Sequence, residues 1–257
     1  MHILVLDTIH GGSVIGAAYA RAGHDVDMVD VYRNTTPEVA DRAKEEDYDL
    51  IVSPVHLDPA HPILRGKKGR VLTHHDAVRE LLGRDVPVPM IEITGARGKT
   101  TTASALACLF PKNGVLHTSM GTFCYPEKRL LWKKSITPAS VPAAAEYAKN
   151  TGGWLIAEES LGVTGAGSLA VITSPDDYRI ASGKKSALAA KTASAQHARH
   201  TLLAPGIVMD GLILSGVDLK EDLSGLDIST FGKQALLDDA PHLGTHFRDE
   251  IGGGPTG

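Results

Sequence analysis

The chain has 257 residues, and its 26 lysines and arginines against 30 aspartates and glutamates give a net charge of −4. That balance argues against nucleic acid as a partner, and no apolar run approaches the roughly 18 residues needed to span a bilayer. The length suits two modest domains or one large α/β domain. MHILVLD opens directly as a strand without the layout of a signal peptide, and Cys108 and Cys124 lack a metal-ligand spacing. A reducing cytoplasm is the expected compartment.

In chain order, His2 to Asp7 is a buried-type strand, followed by Gly11-Gly12, a helix to about Ala22, and a strand from Asp25 to Val31. This βαβ opening places Asp30 where a ribose-binding acid would sit, but His10-Gly11-Gly12-Ser13 with Gly16 does not spell the dinucleotide fingerprint. Tyr48 to Ser53 and Arg70 to Thr73 are two further strands, and Thr73-His74-His75-Asp76 caps a helix to about Leu82. Residues 1–86 thus form a small Rossmann-like domain, closed by the proline-rich linker Arg84 to Pro89.

The histidines of this domain, His10, His56, His61, His74 and His75, fall at expected strand ends, where an open α/β sheet forms its ligand crevice. No two have the i, i+4 spacing of a helical metal pair, which argues against a metal site built from them. His10, Gly11, Gly12, His56 and His74 are candidate substrate contacts. Arg65, Lys67, Lys68 and Arg70 make a basic patch suited to an anionic small molecule.

The stretch from Pro89 to Leu109, PMIEITGARGKTTTASALACL, carries the chemistry. A short apolar strand leads through a glycine loop into Lys-Thr and a helix-prone alanine segment, the pattern of a phosphate cradle. Gly95 and Gly98 let backbone amides of the loop approach phosphate oxygens without an intervening Cβ. Gly95, Ala96, Arg97, Gly98, Lys99, Thr100 and Thr101 are the candidate nucleotide contacts. Lys99 supplies a point charge, and the Thr100 hydroxyl is a natural Mg²⁺ ligand. The spacing is the short GxxGKTT form, because Ile93 stands where the longer motif needs glycine.

Beyond the cradle, strand and helix keep alternating. Val115 to Thr118, Trp154 to Glu159 and Leu169 to Ser174 are expected strands. The alanine-rich run to Lys149 and Ser182 to His197 are expected helices, and the segment containing Lys128, Arg129, Trp132, Lys133 and Lys134 is a polar excursion. The alternation describes a second, mostly parallel sheet. Ends of parallel strands cluster on one edge, so Glu158 or Glu159 should arrive beside Thr100, with Asp176 and Asp177 on the same edge. Hard oxygen donors there suit Mg²⁺.

These segments resemble the Mur ligase family. ITGARGKTT is similar to its nucleotide loop, and AEESLG to its Glu-x-Ser-Ser segment, which implies Glu158 as a magnesium ligand. VITSPDDY followed by Lys191 resembles the stretch from Asn-x-x-x-Asp-His to the lysine that family members carbamylate, which implies Asp177 as a metal ligand and Lys191 as a catalytic residue beside Lys99. Tyr178 stands where the family usually has a metal-binding histidine and Thr173 where it often has asparagine. The match covers roughly residues 87–232 and implies a P-loop central domain and ATP-dependent, ADP-forming activation of a carboxylate as an acyl phosphate. Within the family, VLDTIHGG, VHLDP, LLWKKSITPAS and WLIAEESLGVTGAG look most like a branch of methanogenic archaea. That branch activates a propionate of a nickel tetrapyrrole, and a macrocycle carbon then closes a ring.

Ile207 to Met209 and Ser229 to Gly232 are strand-like, and residues 233–257 lose periodicity and end in GGGPTG. The family's third domain, of roughly 100 residues, is absent from this stretch. Two other readings remain at this level: an amide ligase joining an amino acid to an acidic substrate, and a nucleotide-binding module without turnover.

Overall fold

The structure is a computed structural model, and it describes residues 1–32, 37–110 and 113–207. The chain builds two mostly parallel sheets, each with helices on both faces. The first holds β1 (His2–Leu6), β2 (Asp25–Val29), β3 (Leu50–Ser53) and β4 (Arg70–Thr73), all parallel, in the order β2-β1-β3-β4.

Strand alternation divides its core in two. Ile3, Val5, Leu50 and Val52 face Ile15 and Tyr19 of α1 (Ser13–Arg21) and Ala77 and Val78 of α3 (His74–Leu82). Leu4, Leu6 and Ile51 face the other way, onto Ala43 of α2 (Pro37–Glu45) with Tyr48, Leu57 and Ile63. The expected cap of α3 is a complete capping box: the Asp76 amide donates to Thr73 Oγ1 at 3.0 Å and the Thr73 amide to Asp76 Oδ2 at 3.3 Å.

The second sheet has seven strands. β13 (His200–Leu203), β10 (Leu169–Ile172), β5 (Met90–Thr94), β9 (Trp154–Glu158) and β6 (Gly114–Thr118) run parallel in that order. α4 (Lys99–Leu109) packs Ala103 and Ala107 on Ile91, Ile93, Leu116 and Ile156. On the opposite face, Val141, Ala144, Ala145 and Ala148 of α5 (Val141–Asn150) cover Met90, Val115, Leu155 and Ala157. Small alanine side chains on both helices let them lie close to strands that are themselves buried on both faces.

Two expectations are corrected here. The segment around Lys128 to Lys134 is no loose excursion: β7 (Gly121–Tyr125) and β8 (Arg129–Trp132) form an antiparallel hairpin that extends the sheet beyond β6. The helix expected over 182–197 starts later. Ser182 and Gly183 adopt left-handed angles in a turn between the short strands β11 (Arg179–Ile180) and β12 (Lys185–Ser186), so α6 runs only over Ala187–Ala195, capped by Ser186.

Both cysteines are free thiols. No helix among the described residues is long and apolar enough to cross a membrane. The strand-like pieces at 207–209 and 229–232 and the tail at 233–257 lie essentially outside the described residues.

Candidate active site

The C-terminal ends of β5, β6, β9 and β10 meet at one edge of the second sheet. Thr94 ends β5, the loop Gly95–Gly98 turns, and Lys99 opens α4. Gly95 and Gly98 have φ of 152° and 81°, and a Cβ on Gly95 would collide with Thr173 Oγ1, so glycine is required there twice over.

β10 braces this loop. Thr173 Oγ1 donates to the Arg97 carbonyl, Ser174 Oγ accepts from the amides of Ala96 at 3.1 Å and Arg97 at 3.4 Å, and Arg97 forks onto Asp176 at 2.8 and 2.6 Å. That pair holds Asp176 below the usual carboxylate range, chiefly through its hydrogen bonds to Arg97.

Glu158 sits at the centre. Its Oε2 accepts from Thr100 Oγ1 at 2.8 Å and from the Ser119 amide at 3.1 Å, while Lys99 Nζ lies 3.9 Å from Oε1. Ser119 Oγ is 3.4 Å from Thr100 Oγ1. A buried carboxylate, two hydroxyls and an ammonium therefore converge at the positive end of α4.

Glu159 takes the opposite face. It is fully buried, it shares that face with Glu92, and burial followed by the neighbouring Glu92 charge pushes its carboxyl well up. Glu92 accepts from Thr164 Oγ1, from the Gly165 amide at 3.0 Å and from the Gly167 amide at 2.8 Å. The two neighbouring acids thus have separate surroundings: Glu158 lies beside Thr100, and Glu159 is sealed beside Glu92, which anchors the loop after β9.

Asp177 spends Oδ1 on the start of α6, accepting from Ser186 Oγ and the Leu188 amide, each at 2.9 Å, and from its neighbour's amide. Lys191 is fully buried, and its Nζ lies 4.6 Å from the Tyr178 ring centroid with no hydrogen-bond partner among the described residues. Burial first, and Lys99 second, lower its pKa, against the pull of Asp177 and Asp176.

The expected substrate contacts gather at the junction of the two sheets. A crevice of about 240 Å³ is lined by His10, His56, His74 and His75 from one side and Thr137, Pro138, Ser160 and Leu161 from the other. Gly11 packs against Ala139, where a Cβ would collide, and Gly12 lies hard on the Asp7 carbonyl. His74 and His75 are committed to structure: their Nε2 atoms reach the carbonyls of Leu6 at 2.9 Å and Ser160 at 3.0 Å. A carbonyl only accepts, so both rings carry the proton on Nε2. Burial pushes both down to about 4.

The basic patch is dispersed. Lys67 donates to the carbonyls of Lys44 and Glu46, and Arg70 pairs with Glu80. Two cations reach the first domain from the β11–β12 hairpin: Lys184 pairs with Asp58 at 2.7 Å, and Lys185 donates to the Val55 carbonyl at 3.2 Å.

No family model matches the chain. A coenzyme F(430) synthetase of Methanosarcina acetivorans is 34% identical over 232 residues, covering 77% of this chain and 48% of that protein. A coenzyme F(430) synthetase of Methanocaldococcus jannaschii is 24% identical over 273 residues, covering 97% of this chain and 61% of that protein. Among solved structures, an anabolic ornithine carbamoyltransferase from Campylobacter jejuni aligns over 97% of this chain and 87% of its own with 9% identity and a TM-score of 0.24, too low to bear on fold or function. The chain is thus a sequence relative of the coenzyme F(430) synthetases, spanning about half to three fifths of the length of the two it matches.

Proposed function

We propose that the chain binds a magnesium nucleotide on the Gly95–Thr101 loop and transfers its terminal phosphoryl group to a carboxylate of an anionic substrate in the neighbouring crevice. The relatives' name supports a reaction in coenzyme F(430) formation, and the resemblance of the sequence motifs suggests the substrate class, a nickel tetrapyrrole. In this reading residues 1–86 are a Rossmann-like substrate domain and 87–232 a Mur-type P-loop domain.

The observation that carries the reading is the meeting of Thr100, Glu158 and Lys99 at the start of α4. Hydroxyl and carboxylate oxygens at this spacing suit a hard cation with incomplete protein coordination, as Mg²⁺ prefers when it also holds phosphates. Thr100 and Glu158 would hold it, and Asp177 Oδ2, which takes no hydrogen bond among the described residues, is a further candidate oxygen. When bound, the ion would neutralise charge on the phosphate oxygens.

A carboxylate is a poor electrophile, so its activation as an acyl phosphate supplies a leaving group. Lys99 and the amides at the head of α4 would hold the phosphoryl oxygens, and positioning and electrostatics would do most of the work. Lys191 has the buried, cation-flanked setting in which an amine gives up its proton. Attack of the neutral amine on CO₂, with loss of one proton, would give a carbamate oxygen facing the same space. A macrocycle carbon, giving up one proton, would then attack the acyl carbon, expel phosphate and close the carbocycle. Exclusion of water from the crevice would protect the intermediate.

The test is phosphate release from MgATP by the full chain, measured alone, with a tetrapyrrole bearing free propionates, and with an amino acid plus an acidic peptide precursor. Stimulation by the tetrapyrrole is expected. Stimulation by the amino acid and peptide instead would establish an amide ligase, and nucleotide binding without stimulated release by either would leave a binding module without turnover.

A further inference from the structure

Two clusters in the first sheet bring carboxylates and imidazoles within 4.8 Å of one another: Asp7 with His10 and His56, and His2 with Asp27 and Glu46. Their charge accounts differ. Asp27 accepts from the Tyr48 hydroxyl at 2.8 Å and from the Arg42 guanidinium, so a permanent cation already offsets it.

Asp7 has no such partner. It is completely buried, and among the described residues no lysine or arginine pairs with it. Its neighbours are imidazoles: His10 Nδ1 at 2.8 Å from Oδ2, and His56 Nε2 at 3.7 Å from the same oxygen. A buried carboxylate requires a compensating positive charge.

The backbone reinforces the point. Asp7 sits in the left-handed region at φ 68°, a conformation that costs a non-glycine residue on the order of 1–3 kcal/mol and gathers at ligand sites. The turn after β1 then brings His10 back over the carboxylate, and the Asp7 side chain accepts from the His10 amide at 3.2 Å. His56 arrives from the end of β3, so the set needs no helical i, i+4 pair. Both imidazoles line the crevice between the sheets, whereas Asp7 lies beneath them.

We propose that Asp7, His10 and His56 form a binding site for a first-row divalent transition metal whose outward coordination positions open into the crevice. Two imidazoles and one carboxylate suit Zn²⁺, Co²⁺ or Ni²⁺ better than Mg²⁺ or Ca²⁺. Bonds of about 2.0–2.1 Å to each ligand require small adjustments of two side chains that are only partly buried. The open positions would receive an oxygen or nitrogen donor of whatever occupies the crevice. The site stands apart from the nucleotide loop and does not depend on the reading of that loop.

Equilibrium dialysis of the full chain against Zn²⁺ or Co²⁺ alone, without nucleotide or tetrapyrrole, tests it. About one saturable equivalent is expected, with a Co²⁺ absorption spectrum showing nitrogen ligation. Asp7→Asn and His56→Ala should each weaken binding about 10-fold or more, whereas His2→Ala, in the cluster already offset by Arg42, should leave it unchanged. His56 is partly exposed, so its variant remains informative should Asp7→Asn fail to fold. Absence of saturable binding, or affinity unchanged in His56→Ala, would overturn the proposal. Neither result alters the expectation for MgATP, which is measured separately.

Discussion

Each sheet presents a buried carboxylate at the C-terminal edge of its strands, and the two are handled differently. Glu158 in the second sheet has an ammonium and a hydroxyl set around it by one helix terminus. The rim of the first sheet surrounds Asp7 with imidazoles, and two more imidazoles, His74 and His75, are sealed behind them. A site with fixed charge suits a polyanion that must always be gripped. A rim built from histidines offers ring nitrogens that can take a cation as its occupant changes.

The largest expected effect comes from acid. Burial holds His74 and His75 neutral, at about 4 against an ordinary 6.5, so the unfolded chain binds their protons first as pH falls. Their contribution to stability is therefore intact above 6.5 and is lost progressively down to about 4. Each accounts for about 3 kcal/mol over that window. Urea midpoints measured across it should fall steeply, and His75→Gln, which keeps a donor for the Ser160 carbonyl, should flatten the slope by about one proton. An unchanged slope would show that the rim does not exclude protons as described.

The complementary break falls on the fixed-charge site. Lys99→Ala should weaken MgATP binding by about 2–3 kcal/mol, roughly 30- to 150-fold in Kd. Calorimetric titration at constant pH measures it. Glu158→Gln should remove much of the Mg²⁺ dependence of nucleotide binding while leaving magnesium-free binding intact. A variant that bound MgATP as the parent does would relocate the cradle.

How far this was readable in advance depends on whether a residue's surroundings come from its own segment. The strand–loop–helix around Lys99 and the Thr73–Asp76 cap are local, and their spacing alone announces them. β9 is buried along its whole length, so no polar alternation marks its faces, and spacing alone could not separate Glu158 from Glu159. The β7–β8 hairpin was masked by Lys128, Arg129, Lys133 and Lys134, because an edge strand with charged side chains looks like a loop. Ser119, Thr173 and Ser174 act only because three strands end together, and a hydroxyl at a strand end carries no signal of its own. Asp7 did leave a trace: an acid closing the apolar run ILVL and followed by Thr-Ile-His-Gly-Gly is an unusual residue to bury.

A further test sharpens the contrast inside β9 itself. If Glu159 carries the proton next to Glu92, its carboxyl remains neutral in the folded chain at pH values where the unfolded chain has ionised it. Its contribution is then full below its ordinary 4.5 and is lost as pH rises towards its elevated folded value. Glu159→Gln is neutral at every pH and retains N–H donors towards Glu92, so it should abolish that loss. The variant should match the parent near 4.5 and gain on it with rising pH, by at most about 1.4 kcal/mol per unit, in urea midpoints followed by tryptophan fluorescence. Parallel curves would mean that the proton resides elsewhere. Nucleotide affinity should not change, because Glu159 faces away from the Thr100 hydroxyl that Glu158 holds.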